Sequence, residues 1–254
     1  MTRRPGFPAR LPAPGAPAPA RPPAAAAAPQ RTVPSGLGLD SHAVRARMVR
    51  KLAGQGVRDA RVLAAMNAVD RHRFVDSALV NQAYEDTSLP IGLGQTISKP
   101  SVVARMIELL LAGRTDANGR LGRVLEVGTG CGYQAAVLSQ VATEVYSIER
   151  LRALHERARE NLRPLRLANL HLLFGDGMQG YAKGAPYAGI IAAAGGDAVP
   201  VQWTDQLAEG GRIVAPMVMP HGAQALVIVE KTAGRLNQSV LEGVHFVPLK
   251  SGIA

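Results

Sequence analysis

Between residues 40 and 113 the apolar positions recur at helical spacing. In LDSHAVRARMVRKLAGQG, Val44, Met48 and Leu52 fall at four-residue steps and glycines close the run, which predicts an amphipathic helix. DARVLAAMNAV (59–69) repeats the device, with Asp59 at the N-cap position. A third helix is predicted to begin at Ser98 or Lys99 with Pro100 and to run through SVVARMIELLLAG, because proline is compatible with a first turn and Gly113 with an end. The stretch between them, EDTSLPIGLGQTISKP (85–100), has turn residues and hydroxyls but no sustained apolar period. It reads as a connector or as the wall of a site.

From residue 123 the period changes. RVLEV (123–127), EVYSI (144–148), LHLLF (170–174), GIIAAA (189–194) and RIVAPMV (212–218) are short apolar runs. Helix-periodic YQAAVLSQV, RLRALHERARENL and a segment near VPVQWTDQLAEGG alternate with them. ALVIVEK (225–231) and GVHFVPL (243–249) follow as two further strands with no helix between, so at least one runs antiparallel. The alternation predicts an α/β fold: a doubly wound, mostly parallel seven-stranded sheet with an N-terminal helical addition. Residues 39–254 form one domain in this reading, divided at about residue 122 into helices with a lip and a Rossmann-like core.

Composition changes the picture at the N-terminus. Residues 1–38 are dominated by Pro and Ala, which predicts a disordered tail rather than a signal or transit peptide. The net charge of +10 suggests nucleic acid until it is located: residues 1–39 hold five arginines and no acid, which is half of the excess. With 4 % aromatic residues and no basic cluster interleaved with them, nucleic acid is not the expected partner. No apolar run is long enough to span a bilayer, and a single cysteine, Cys131, is compatible with a reducing cytosol. A cytoplasmic monomer is the expectation, and the six histidines show no metal-ligand spacing, so no metal is expected.

Candidate chemistry gathers at the predicted strand ends. VLEVGTGCGYQ places Gly128, Gly130 and Gly132 between a strand and a helix, with Thr129 among them. G-x-G-x-G is not the dinucleotide fingerprint, so close backbone approach is required but a pyrophosphate is not. Glu149, 21 positions after Gly128, ends the next strand, where an acid accepts ribose hydroxyls. Asp176 and Gly177 follow the third strand, where Asp176 is placed to meet an adenine edge. Glu126, two residues before Gly128, suits a cationic ligand, and S-adenosylmethionine fits these groups better than NAD.

These segments resemble bacterial protein-L-isoaspartate O-methyltransferases. The likeness is carried by VLEVGTGCGYQAAVLSQVATEVYSIER, GDGMQGYAKGAPYAGII, GGRIVAPM, HFVPL and, most specifically, YEDTSLPIGLGQTISKP, and it runs from about residue 43 to 251. The resemblance implies a sheet of the S-adenosylmethionine-dependent methyltransferase type. It also implies methyl transfer to the free α-carboxylate of L-isoaspartyl residues in damaged proteins, followed by collapse to a succinimide. It makes residues 85–100 the substrate lip, with Ser98 the active-site residue and Thr96 beside it. The residues alone also allow Ser98 to be only a helix N-cap. The chain departs from the family's pattern at Ala188, at AAAGG (192–196) and at Lys99, which the resemblance puts beside the crevice. Another substrate on the same fold, or a non-catalytic cofactor-binding protein, stay open as alternatives.

Overall fold

The computed structural model describes residues 42–113 and 115–254; the tail expected at 1–38 lies outside them. Two helices come first, α1 (His42–Gly54) and α2 (Ala60–Ala68). Asp59 caps α2, its side chain accepting from the Arg61 amide at 2.8 Å. Short 3-10 turns at Arg71–Phe74 and Ser77–Gln82 lead into a small antiparallel hairpin, β1 (Leu89–Gly92) with β2 (Gln95–Ile97). Helix α3 (Pro100–Leu111) follows, then β3 (Leu121–Val127), α4 (Tyr133–Val141), β4 (Ala142–Glu149), α5 (Arg152–Leu162), β5 (Leu170–Phe174) and β6 (Tyr187–Ala192). The chain ends with α6 (Val201–Gln206) and the strands β7 (Leu207–Val218), β8 (Gln224–Thr232) and β9 (Arg235–Val244).

The seven long strands form one sheet in the order β5-β4-β3-β6-β7-β8-β9. Pairings are parallel from β5 to β7 and antiparallel where β8 meets β7 and β9. Successive residues point to opposite faces, and both faces are covered. Val124, Ile191 and Val214 join the core under α1 to α5, whereas Leu125, Ile190 and Ile213 join the one under Trp203 and Tyr187. Each of those side chains is completely buried, worth roughly 1.5–3 kcal/mol apiece relative to exposure. No helix among the described residues is long and apolar enough to cross a membrane.

Two expectations need correction, and the lip gains a hairpin. The last strand is RLNQSVLEGV, not GVHFVPL: beyond Val244 the chain leaves the sheet, and it is held by a bridge from Pro248 to Gly195, past the end of β6, and by the Phe246 main chain bonded to the Gln224 side chain on β8. Within the lip β1 and β2 pair, joined through positive-φ residues at Leu93 and Gly94. Ala188 stands near the start of β6, against the position of Gly122, so it is at the opposite end of the strand from the crevice.

Candidate functional site

Strand order reverses at β3: the chain moves to β4 and β5 on one side and later to β6 on the other. Ligands of doubly wound sheets bind beyond the carboxyl ends of strands at such a point. A cavity of about 450 Å³ lies there, lined by Gly128 after β3, Glu149 at the end of β4, Gly177 after β5 and Ala193 after β6.

The loop from Gly128 to Gly132 turns through backbone that side chains rarely adopt, with φ of +56° at Gly130 and +93° at Gly132. A Cβ on Gly130 would meet Ile91 Cδ1 at 3.2 Å, across from the hairpin, so the missing side chain leaves the cradle open. Gly132 serves another purpose. A Cβ there would stand 2.7 Å from Leu162 Cδ1, so this glycine lets α4 start against α5.

Glu149 is held rigidly. Its Oε2 accepts from the Gly130 amide and its Oε1 from the Leu151 amide, each at 2.9 Å. A carboxylate has about four acceptor positions, so two remain for ligand hydroxyls.

Glu126 does not line the cavity, and the expectation of a carboxylate facing a cation is corrected there. The residue is completely buried, and burial pushes its pKa up to about 8 against the hydrogen bond from Ser147. It is mostly protonated at pH 7. The Ser147 hydroxyl donates to Glu126 Oε2. Thr129 Oγ1 and Ser147 Oγ share a further hydrogen bond at 2.6 Å. The chain Thr129–Ser147–Glu126 therefore fastens the glycine loop to the strands beneath it.

Asp176 is also absent from the cavity lining. Its Oδ1 accepts from the Met178 amide at 2.9 Å and its Oδ2 from the Gly252 amide at 2.7 Å. The C-terminal residues fold back here: Arg152 N donates to Ala254 O, and Ala254 N to Arg150 O, each at 2.8 Å.

Thr96 and Ser98 stand where two cavities meet. Both line the cavity of the glycine loop and a second one of about 790 Å³, and Ala193 and Val247 are shared as well. Ser98 is not the N-cap of α3: Lys99 holds that position without a side-chain bond, and Asp86 Oδ1 accepts from the Ser101 amide at 2.9 Å instead. The Ser98 hydroxyl is thus not committed to the helix.

The lip is tied down by residues the sequence did not single out. Arg71 is completely buried; its Nε donates to Ala83 O and its Nη2 to Ser98 O, each at 2.8 Å. Its guanidinium carbon lies 4.8 Å from the ring centre of Tyr133, the first residue of α4. Arg157 on α5 donates to Ile91 O at 2.5 Å. A buried arginine and an exposed one look alike in a run such as DRHRF, so no local signal marks Arg71.

A seven-stranded sheet that is parallel from β5 to β7 and closes with an antiparallel β8 and β9, a glycine loop after the first core strand and an acid at the end of the second have the form of an S-adenosylmethionine-dependent methyltransferase. The profile of the protein-L-isoaspartate(D-aspartate) O-methyltransferase family matches residues 43–254. The chain belongs to that family, whose members methylate isoaspartyl residues in proteins with S-adenosylmethionine as donor. It is 65 % identical over 223 residues to the protein-L-isoaspartate O-methyltransferase of Methylibium petroleiphilum, covering 87 % of this chain and 82 % of that one. The Leptothrix cholodnii enzyme of the same name is 60 % identical over 220 residues, 86 % of this chain and 77 % of the relative. A solved protein-L-isoaspartate O-methyltransferase superposes with a TM-score of 0.73 at 29 % identity, over 82 % of this chain and 67 % of that one. The Plasmodium falciparum structure that bears the enzyme's name and contains S-adenosyl-L-homocysteine gives 0.69 at 23 % identity, over 81 % and 98 %, and speaks for the fold.

Proposed function

We propose that Thr96 and Ser98 hold the free α-carboxylate of an isoaspartyl residue at the junction of the two cavities, facing a methyl donor held by the glycine loop. The observation that carries this reading is the shared wall: Thr96 and Ser98 border both spaces, so groups in the two cavities come within reach of one another.

The residues at the sheet ends suit the donor. Gly128, Thr129 and Gly130 offer close backbone approach, Glu149 presents free acceptor positions to ribose hydroxyls, and Gly177 closes the far wall. Glu126, Gly132 and Asp176 act one step removed, by fixing the loop, seating α4 and holding the C-terminal residues. S-adenosylmethionine supplies a methyl group on a positively charged sulfur.

The acceptor needs no base. An α-carboxylate titrates near pH 3.5, so it is already ionised at pH 7. The task of the protein is then orientation and exclusion of water. The Ser98 hydroxyl donates to one carboxylate oxygen and leaves the charge in place, while Ile91 and Val103 supply apolar walls. The same reading makes the enzyme a cytosolic monomer that acts on ageing proteins rather than on nucleic acid or membrane.

The test is transfer of labelled methyl from S-adenosylmethionine to a synthetic isoaspartyl peptide and to its normal aspartyl counterpart, scored as base-labile ester. Ester on the isoaspartyl peptide alone is the expected result. Ser98→Ala is expected to lower kcat by about 10- to 100-fold while cofactor still binds, as for a lost orienting contact. Equal methylation of both peptides, or an unchanged S98A rate, removes the assignment.

A further inference from the structure

We propose that the substrate polypeptide leaves the methyl-transfer junction along a groove in which two unpaired cations, Lys99 and then Arg58, select carboxylates flanking the isoaspartyl residue. The inference rests on the reading of the Ser98 junction given above and adds a substrate class to it: isoaspartyl sites in acidic sequence.

The track is visible as a continuity of spaces. The cavity beyond Ser98 adjoins a third one of about 620 Å³, the two sharing Val102, Gly243 and Val244. Lys99 lines the nearer cavity and Arg58 the farther. One wall is the outer flank of α3; the other is the end of β9 and the segment after it, which includes His245.

Three cations, Arg58, Lys99 and Arg105, and three acids, Asp86, Glu108 and Glu242, line this track, but they are not equally engaged. Its three acids are all engaged by the protein. Asp86 accepts from the Ser101 amide, and Glu108 accepts from the amides of Arg58 at 2.6 Å and Asp59 at 2.9 Å. Glu242 accepts from Arg105 at 2.9 Å, and Arg105 also reaches Glu108 at 3.3 Å. Arg105 is thereby matched twice. The side chains of Lys99 and Arg58 are exposed and have no hydrogen-bond or ion-pair partner among the described residues. A chain lying in the groove therefore meets two unmatched cations and acids that are already satisfied.

Spacing follows from helix geometry. Arg58 is anchored through its amide to Glu108, nine residues along α3 from Lys99, or about 14 Å at 1.5 Å per residue. An extended substrate covers that distance in about four residues. Lys99 accordingly reads the position next to the isoaspartyl residue and Arg58 a position about four residues further on.

The experiment uses the full chain and isoaspartyl peptides of one length with neutral, Glu or Lys flanks, plus a set with a single Glu about five residues from the isoaspartyl residue on either side. The readout is the ratio of kcat/KM between peptides, which cancels any uniform effect of a variant. Exposed charge pairs predict a preference for adjacent Glu over neutral of about two- to fivefold, shrinking towards one near 0.5 M salt, where the screening length is only a few ångströms. Lys99→Glu should invert the Glu-to-Lys ratio, and Arg58→Glu should invert only the distal preference. Equal rates across the series, a salt-independent ratio, or a K99E enzyme slowed alike on every peptide would overturn the proposal. If the neutral isoaspartyl peptide is itself not methylated, the underlying assignment of the site fails, and that outcome is separate from any charge preference.

Discussion

Arg71 and Ser98 are joined by one hydrogen bond, 2.8 Å from a completely buried guanidinium to a main-chain carbonyl 27 residues further on. The guanidinium has no carboxylate partner among the described residues; it is surrounded by carbonyl oxygens and the face of Tyr133. Burial of an arginine on those terms opposes its charged form. What it secures is the placement of the lip's end against the start of α4, and so the distance between the Ser98 hydroxyl and the glycine loop.

Arg71→Lys keeps the charge but cannot span carbonyls set at different angles. It should lower kcat about tenfold while cofactor affinity changes less than about twofold. Leaving one buried carbonyl without its donor should cost about 1–3 kcal/mol of stability. Steady-state kinetics, a cofactor titration and denaturant unfolding check the three statements together.

Glu126 gives a pH signature. Its folded pKa of about 8 lies above the usual 4.5, so the folded protein holds a proton that the unfolded chain releases. The stability this contributes is fully present below about pH 4.5 and is lost as pH rises through about 8. Glu126→Gln should flatten that decline. Unfolding free energies from pH 5 to 9 are the measurement, and parallel curves for the two proteins would refute the buried proton.

Gly132→Ala tests the packing role assigned to that glycine. A methyl group 2.7 Å from Leu162 Cδ1, on backbone at φ +93°, should destabilise the protein by about 1–3 kcal/mol. At saturating cofactor the surviving folded enzyme should turn over at close to the wild-type rate, which separates packing from ligand contact.

Asp59→Ala removes the cap of α2 and the Asp59–Arg61 contact. A loss of about 1 kcal/mol is expected, with no change in the isoaspartyl to aspartyl selectivity. Thermal unfolding and the two-peptide assay read these separately.

Elements whose apolar pattern met a matching environment were legible in the sequence. YQAAVLSQV coincides with α4 because glycines open it and eight of its nine residues enter the core, and LHLLF coincides with β5, a half-buried edge strand, because the glycines of GDG end it. β9 was not legible: its residues are almost all exposed, Leu236 and Val240 included, so RLNQSVLEGV lacks a buried face to announce itself. The more apolar GVHFVPL looked the better strand, yet only its first two residues belong to β9 and the rest runs beyond the sheet along the cavity beside Ser98. In the site, positions on the glycine loop and at strand ends could be read from spacing. Their orientation could not. Whether Glu126 and Asp176 face the cavity or the packing beneath depends on partners such as Ser147 and Gly252, far away in the chain.

The folded-back terminus has a practical corollary. Gly252 and Ala254 are bonded to Asp176, Arg150 and Arg152, immediately beside Glu149. Anything attached after Ala254 therefore departs from the rim of the cavity at the glycine loop. A purification tag there intrudes on the measurement it is meant to serve, whereas a small environment-sensitive fluorophore at the same point becomes a reporter of cofactor occupancy.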